Sequence, residues 1–334
     1  MKTYNWLFTA LAVFFLLITA CGETQKKNNT AKTDEGDTSE IQPVNTSIFS
    51  ADSAFAYIAD QVAFGPRVPG TEAHTACAGW LEKTMRSFGH DVIVQKAMLT
   101  TYNGKKFEAK NIITTINPEA KNRVLLLAHW DSRPVADHDP NPEKRNTPIL
   151  GADDGASGVG VLMEIARKLS TQPVNYGVDI IFFDLEDYGV TEKEDSWCLG
   201  SQYWSKKPHI PNYKADFGIL LDMVGSRNAT FYWEAYSKTY APELLMKIWQ
   251  TASVLGYGRY FKQADGGGIT DDHVPVIENL RIPVVNIVNY NPKNPKGFGH
   301  YWHTHEDNLN VIDRSTLKAV GNTVMTVLYE YQPQ

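Results

Sequence analysis

The spacing of hydrophobic residues changes twice along the chain, and each change marks a different kind of expected structure. Apolar positions in residues 51–63 and 72–88 recur at helical spacing, which predicts two amphipathic helices. The connector between them, residues 64–71 (FGPRVPGT), is rich in turn-forming residues. Residues 91–102 and 107–117 then alternate, with Asn103-Gly104 between them, as a β-hairpin requires. Further on the alternation stops. Residues 124–128, 180–183, 217–221 and 282–285 with 287–288 are nearly continuous apolar runs, the pattern of strands covered on both faces. Helical stretches at residues 157–170, 241–255, 274–279 and 314–331 lie between or after them. Strands alternating with helices predict an α/β fold, a three-layer α/β/α sandwich with a central mixed, mostly parallel sheet.

The first 45 residues follow neither pattern. After Met1-Lys2, residues 6–20 (WLFTALAVFFLLITA) form an uncharged apolar run too short to span a bilayer comfortably, the core of a signal peptide. Small residues stand directly before Cys21, which resembles the bacterial lipobox, where that cysteine carries the lipid. Residues 22–45 are polar and charged, too poor in apolar side chains to order themselves, and read as a tether. The expected division is a signal peptide at 1–20, a lipidated disordered tether at 21–45 and one folded domain at 46–334. The expected location is the bacterial cell envelope, lipid-anchored on the periplasmic or surface side, with membrane contact through the lipid alone. A net charge of −6 without any basic stripe argues against nucleic acid as a partner. Cys77 and Cys198 remain; they have the opportunity to pair in an oxidising compartment and lack zinc-finger spacing.

The chemistry-bearing residues stand at the carboxyl ends of the buried runs, where open α/β sheets gather their ligand sites. The first run ends in His129-Trp130-Asp131-Ser132, the second in Asp184-Leu185-Glu186-Asp187 and the third in Asp222-Met223-Val224-Gly225. Between the first two lies GADDGASG at residues 151–158, opening a helix, and after the last strand comes YWHTH at 301–305. Each element alone has a plain explanation, a helix cap for Asp153-Asp154 or an interior hydrogen bond for His129. Together, acids and a histidine at successive strand exits are costly to bury unless they are paired or bound to a cation. Carboxylate oxygens with an imidazole nitrogen suit zinc with an open coordination position.

The run FGPRVPGT, HWDS, GADDGASG, FFDLED, LLDMVG and YWHT resembles the zinc aminopeptidase clan M28 over residues 48–334, which makes residues 46–334 an M28-like catalytic domain. ITDDHVP at 269–275, the Trp302-His303 pair and LLDMVGSRNATF at 220–231 are most similar to the glutaminyl cyclases (glutaminyl-peptide cyclotransferases) of that clan. The resemblance implies one zinc held by Asp154, Asp187 and His303, with Asp187 standing where the family commonly has Glu. It implies Glu186 as the general acid/base, Asp222 and Asp271 as an aspartate pair near the substrate, and Trp302 as the aromatic pocket wall. Trp197 and Tyr301 are further candidates for that wall. Asn286 replaces a histidine common in the family. The reaction implied is conversion of the N-terminal glutamine of a peptide or protein to pyroglutamate, with release of ammonia. The principal alternative is a two-zinc aminopeptidase in which His129 and Asp222 hold a second metal and Asp154 bridges the two. A non-catalytic scaffold of the same fold is a third reading, marked by loss of a ligand or of the acid/base, and all four residues are present. Residues 137–147 and 289–301, rich in Pro and Asn, are expected to rim the pocket.

Overall fold

The hairpin forms where the sequence places it: β1 (Asp91–Thr100) and β2 (Lys106–Ile116) pair antiparallel, Asp91 opposite Thr115 and Thr100 opposite Lys106. These elements belong to a computed structural model that describes residues 49–333. The signal peptide, Cys21 and the tether lie outside the described residues. Among the described residues no helix is long and apolar enough to cross a membrane.

All seven residues of β3 (Arg123–His129) are buried. Val124, Leu126 and Ala128 enter one apolar cluster, while Leu125 and Leu127 enter another on the opposite side. This period of two, with apolar cover on both faces, is why the run lacks polar positions. β4 (Gly177–Phe183) and β5 (Phe217–Asp222) are buried along their whole length for the same reason. Two further strands, β6 (Phe231–Glu234) and β7 (Phe261–Gly267), make a separate two-stranded sheet. The last strand, β8 (Val284–Val288), completes the main sheet in the order β1-β2-β4-β3-β5-β8. β1, β2 and β4 meet antiparallel, and β4, β3, β5 and β8 run parallel. The sheet is mixed, with β1 and β2 antiparallel at one edge and the four parallel strands running from β4 to the other edge at β8.

The helices form the outer layers. One face carries residues of α1 (Ala51–Ala63), α2 (Glu72–Ser87) and α3 (Ala156–Leu169). The other face is covered through α4 (Leu199–Lys206), whose Trp204 is fully buried there. α5 (Ala235–Tyr240) lies against β8, and α6 (Pro242–Val254) joins the first face. α7 (His273–Leu280) packs on α4, and α8 (Arg314–Glu330) packs on α1, α3 and α6. This is the expected three-layer sandwich. Its parallel strands share one carboxyl end, and β3, β4 and β5 all deliver acidic turns there.

Candidate active site

The turns at that end are built from unusual backbone. Leu185, Met223 and His303 have φ values of 56°, 48° and 57°, left-handed values that non-glycine residues adopt at some cost. Gly155, with φ of 125°, opens α3, and a Cβ there would lie 2.6 Å from the His129 ring and carbonyl. Two buried aspartates hold the turns in shape. Asp307 accepts hydrogen bonds from the amides of Asp153 (2.8 Å) and Asp154 (3.2 Å). Asp131 accepts from Glu186 (3.1 Å) and Asp187 (3.2 Å) in the same way. Each carboxylate occupies a pair of adjacent amides, so the side chains those turns carry point away from it.

Asp154, Asp187 and His303 converge. One donor atom from each lies within 4.8 Å of the others, and all three residues are buried. His303 Nε2 stands 3.5 Å from Asp187 Oδ1 and 3.7 Å from Asp154 Oδ2. Asp187 Oδ2 is buried without a hydrogen-bond partner. A carboxylate oxygen in that position is costly unless a cation completes it, and two carboxylates with one imidazole suit zinc. The donor set therefore fits the metal expected from the sequence. Burial would raise the Asp187 pKa, but His303 and then Arg133 outweigh it and hold the group below the usual range.

His129 belongs to an adjoining cluster, its Nε2 3.1 Å from Asp154 Oδ1 and 3.3 Å from Asp222 Oδ1. Burial alone would lower its pKa; hydrogen bonds with Asp131, Asp154 and Asp222 overcome that and raise it well above 6.5. The imidazole thus stands between the two carboxylates that the two-metal alternative would use.

Glu186 stands close to both clusters, its Oε2 4.0 Å from His129 Nδ1. Its carboxyl, Cys198 Sγ and Asp271 approach within 4.8 Å of one another, and the Cys198 thiol donates to Glu186 Oε1 at 3.2 Å. Burial first, then the repulsion of Asp271, Asp272 and Asp187, raises the Glu186 pKa well above 4.5 against the pull of His129. Asp271 is fixed at both oxygens: Asn286 Nδ2 donates to Oδ2 at 2.7 Å and the Asp272 amide to Oδ1 at 2.6 Å. Asn286 therefore makes a hydrogen bond from the place of the expected histidine. Burial pushes Asp271 and Asp222 up to about 6 each, and Asp271 feels Asp222 as its next contribution.

These groups form one end of a pocket of about 390 Å³. Trp302 stacks on His303, ring centres 3.8 Å apart, and lines the pocket with Trp197, Tyr290 and Phe298. Of the wall candidates, Trp302 and Trp197 line it and Tyr301 does not. Tyr301 is turned inward, its hydroxyl shared among Asp153, Ser226 and Asn289. Of the two loops expected at the rim, residues 289–301 contribute Tyr290 and Phe298. Residues 137–147 line none of the pocket. Their Asp137 instead stands behind His303, 3.3 Å from Nδ1. The rest of the rim comes from Ile269 and Thr270 of the ITDDHVP segment and from Thr191, Glu194 and Gly268, which the sequence did not single out. Cys77 and Cys198 are both buried and free, so they are not paired.

Arg133 is the functional residue the sequence hid. Its guanidinium forks onto Asp137 (2.8 and 2.7 Å) and reaches Asp187 Oδ1 at 3.2 Å, while lying 4.8 Å over the Trp197 ring. It connects the backing of His303 with that of Asp187. Arginine in the segment after His129-Trp130-Asp131 was visible, but its partner Asp187 lies 54 positions away.

The sequence profile of Peptidase family M28 matches residues 111–328. Among solved structures, the chain is 57% identical to the glutaminyl cyclase of Porphyromonas gingivalis, covering 84% of this chain and 98% of that one, with a TM-score of 0.83. A zinc-dependent exopeptidase from Parabacteroides distasonis is 55% identical, with 85% and 99% covered and a TM-score of 0.84. Among curated proteins, the glutaminyl-peptide cyclotransferase of the snake Boiga irregularis is 26% identical over 288 residues, 76% of this chain and 71% of that protein.

Proposed function

The chain belongs to peptidase family M28, and from that premise we propose that it is a glutaminyl cyclase, converting the N-terminal glutamine of peptides and proteins to pyroglutamate. The observation that carries the reading is the buried Glu186 carboxyl beside Asp271, next to the metal-fit donor set and under aromatic walls. Kinship with the glutaminyl cyclase of Porphyromonas gingivalis supports ring closure over hydrolysis as the use of that site.

Asp154, Asp187 and His303 would hold one zinc ion, which when bound supplies a Lewis acid to the side-chain amide oxygen of the substrate. Glu186 carries the proton. In the reaction the α-amine nitrogen bonds to the side-chain amide carbon and the bond from that carbon to the amide nitrogen breaks. Glu186 takes a proton from the attacking amine and returns it to the departing nitrogen, so ammonia leaves and the carboxyl is restored. A buried carboxyl with a raised pKa suits both transfers, because it holds neither proton state too tightly. Asp271, oriented by Asn286 and the Asp272 amide, faces Glu186 and the substrate, and Asp222 continues the acidic wall. Trp302 holds the glutamine side chain flat. No external nucleophile is required, and proximity within one residue supplies much of the rate.

His129, Asp154 and Asp222 also bring three donor atoms together, the set a second metal would take, so the count of metals is what separates the two readings. Metal analysis of the purified domain is expected to give about one zinc per chain. The activity is tested by measuring ammonia release from a glutamine-initiated peptide beside amino-acid release from leucine- and alanine-initiated peptides. Chelator-sensitive ammonia release supports the cyclase; release of the N-terminal amino acid supports an aminopeptidase instead.

We further propose that Cys21 anchors the enzyme by a lipid to the bacterial envelope, residues 21–45 holding the domain off the surface. The apolar run 6–20 ending in small residues before that cysteine supports this reading.

A further inference from the structure

Ring closure uses only the first residue of the substrate, yet the pocket of about 390 Å³ is larger than one glutaminyl residue fills. Successive Cα atoms are only about 3.8 Å apart, so the residue after the glutamine must pass the mouth of the same pocket. One lining side chain there is charged and belongs to neither the metal donors nor the acid cluster. That side chain is Glu194, in the turn Glu194–Ser196. The Thr270 hydroxyl donates to Glu194 Oε1 at 2.6 Å, tying the carboxylate across the mouth to the segment that leads into Asp271. Among the described residues Glu194 forms no ion pair, so its second oxygen remains available to a ligand. Its neighbours add to the same sign, Glu192 and Asp195 against the single Lys193, all exposed.

We propose that Glu194 makes the pocket mouth a subsite for the second residue of the substrate, favouring lysine or arginine there and disfavouring glutamate or aspartate. The inference rests on the cyclase reading above. The geometry favours the basic choice because the carboxylate is pre-positioned by Thr270. Among the described residues no lysine or arginine lines the pocket, and Lys296 lines a separate groove of about 670 Å³ that shares only Phe298 with it. A partly solvated pair gives modest selectivity, attraction for one sign and repulsion for the other.

The test compares kcat/KM for Gln-Lys, Gln-Ala and Gln-Glu peptides of otherwise identical sequence, using the purified soluble protein. The Lys-to-Glu ratio is expected to be about fivefold at low salt, shrinking when 0.5 M salt screens the pair. In Glu194→Gln the ratio falls to near one, and in Glu194→Lys it inverts. Thr270→Val, which frees the carboxylate without removing it, lowers the ratio part of the way. A wild-type ratio near one, or a ratio that survives in Glu194→Gln, overturns the proposal while leaving cyclase activity standing. Absence of ammonia release from all three peptides overturns the cyclase reading itself, and the subsite with it.

Discussion

At the scale of single residues, the site is a problem in holding carboxylates where water cannot reach them. Glu186 is useful because burial and its acidic neighbours raise its pKa, and Asp187 because His303 and Arg133 lower its own. Two adjacent acids thus take opposite electrostatic characters, one fit to exchange protons and the other to stay ionised. Glu186→Gln is expected to keep its zinc and lose about 10²–10⁴-fold in turnover. Parallel metal analysis and rate measurements check this, and unchanged turnover would refute its role. Arg133→Ala removes the donor to Asp187 and the partner of Asp137 behind His303, so it is expected to weaken zinc binding by about 10–100-fold. A chelator competition titration reads that directly. The sequence made Asp154, Glu186, Asp187, Asp222 and His303 visible because each sits in a short motif at a strand exit or helix start. It could not show Arg133, Asp131 or Asp307 at work, since their value lies in contacts with residues 54 to 154 positions distant. Nor could it show the thiol of Cys198 against Glu186, which depends on a left-handed backbone at Cys198 itself, φ 57°.

At the scale of elements, the long strands were legible and the short ones were not. β3, β4 and β5 are buried end to end, and their unbroken apolar runs say so. β6 is only four residues long, and β7 (FKQADGG) has exposed polar positions and glycines, with register shifts along the pair. Nothing in their spacing distinguishes such strands from loop. Asn286 interrupts the apolar run of β8 but is itself fully buried, because Asp271 takes its amide. The turn into α3 shows how an element is tuned to the site. Gly155→Ala should cost more than about 2 kcal/mol, since it adds a Cβ against His129 to an unfavourable φ. Gly256→Ala, also at positive φ but with open space around it, should cost about 1 kcal/mol. Denaturant unfolding of both variants measures the difference; equal losses would remove the steric part of the explanation.

At the scale of the whole molecule, one three-layer domain gathers the ends of four parallel strands and leaves one mouth for a peptide terminus. Among the described side chains that line that mouth the one charge outside the metal donors and the acid cluster is Glu194, while Lys296 lines the neighbouring groove. An enzyme anchored through Cys21, as proposed, would act on N-termini that reach the envelope. Cys21→Ser is accordingly expected to move the protein from the membrane fraction to the soluble fraction, with its activity per molecule unchanged, as fractionation and assay together would show. The account as a whole turns on the fate of a single substrate. A peptide beginning Gln-Leu, incubated with the zinc-loaded protein and followed by mass spectrometry, separates the two chemistries in one spectrum. Cyclisation predicts one product, the full-length peptide less ammonia with a blocked N-terminus. Free glutamine together with a peptide shortened to its leucine would contradict it.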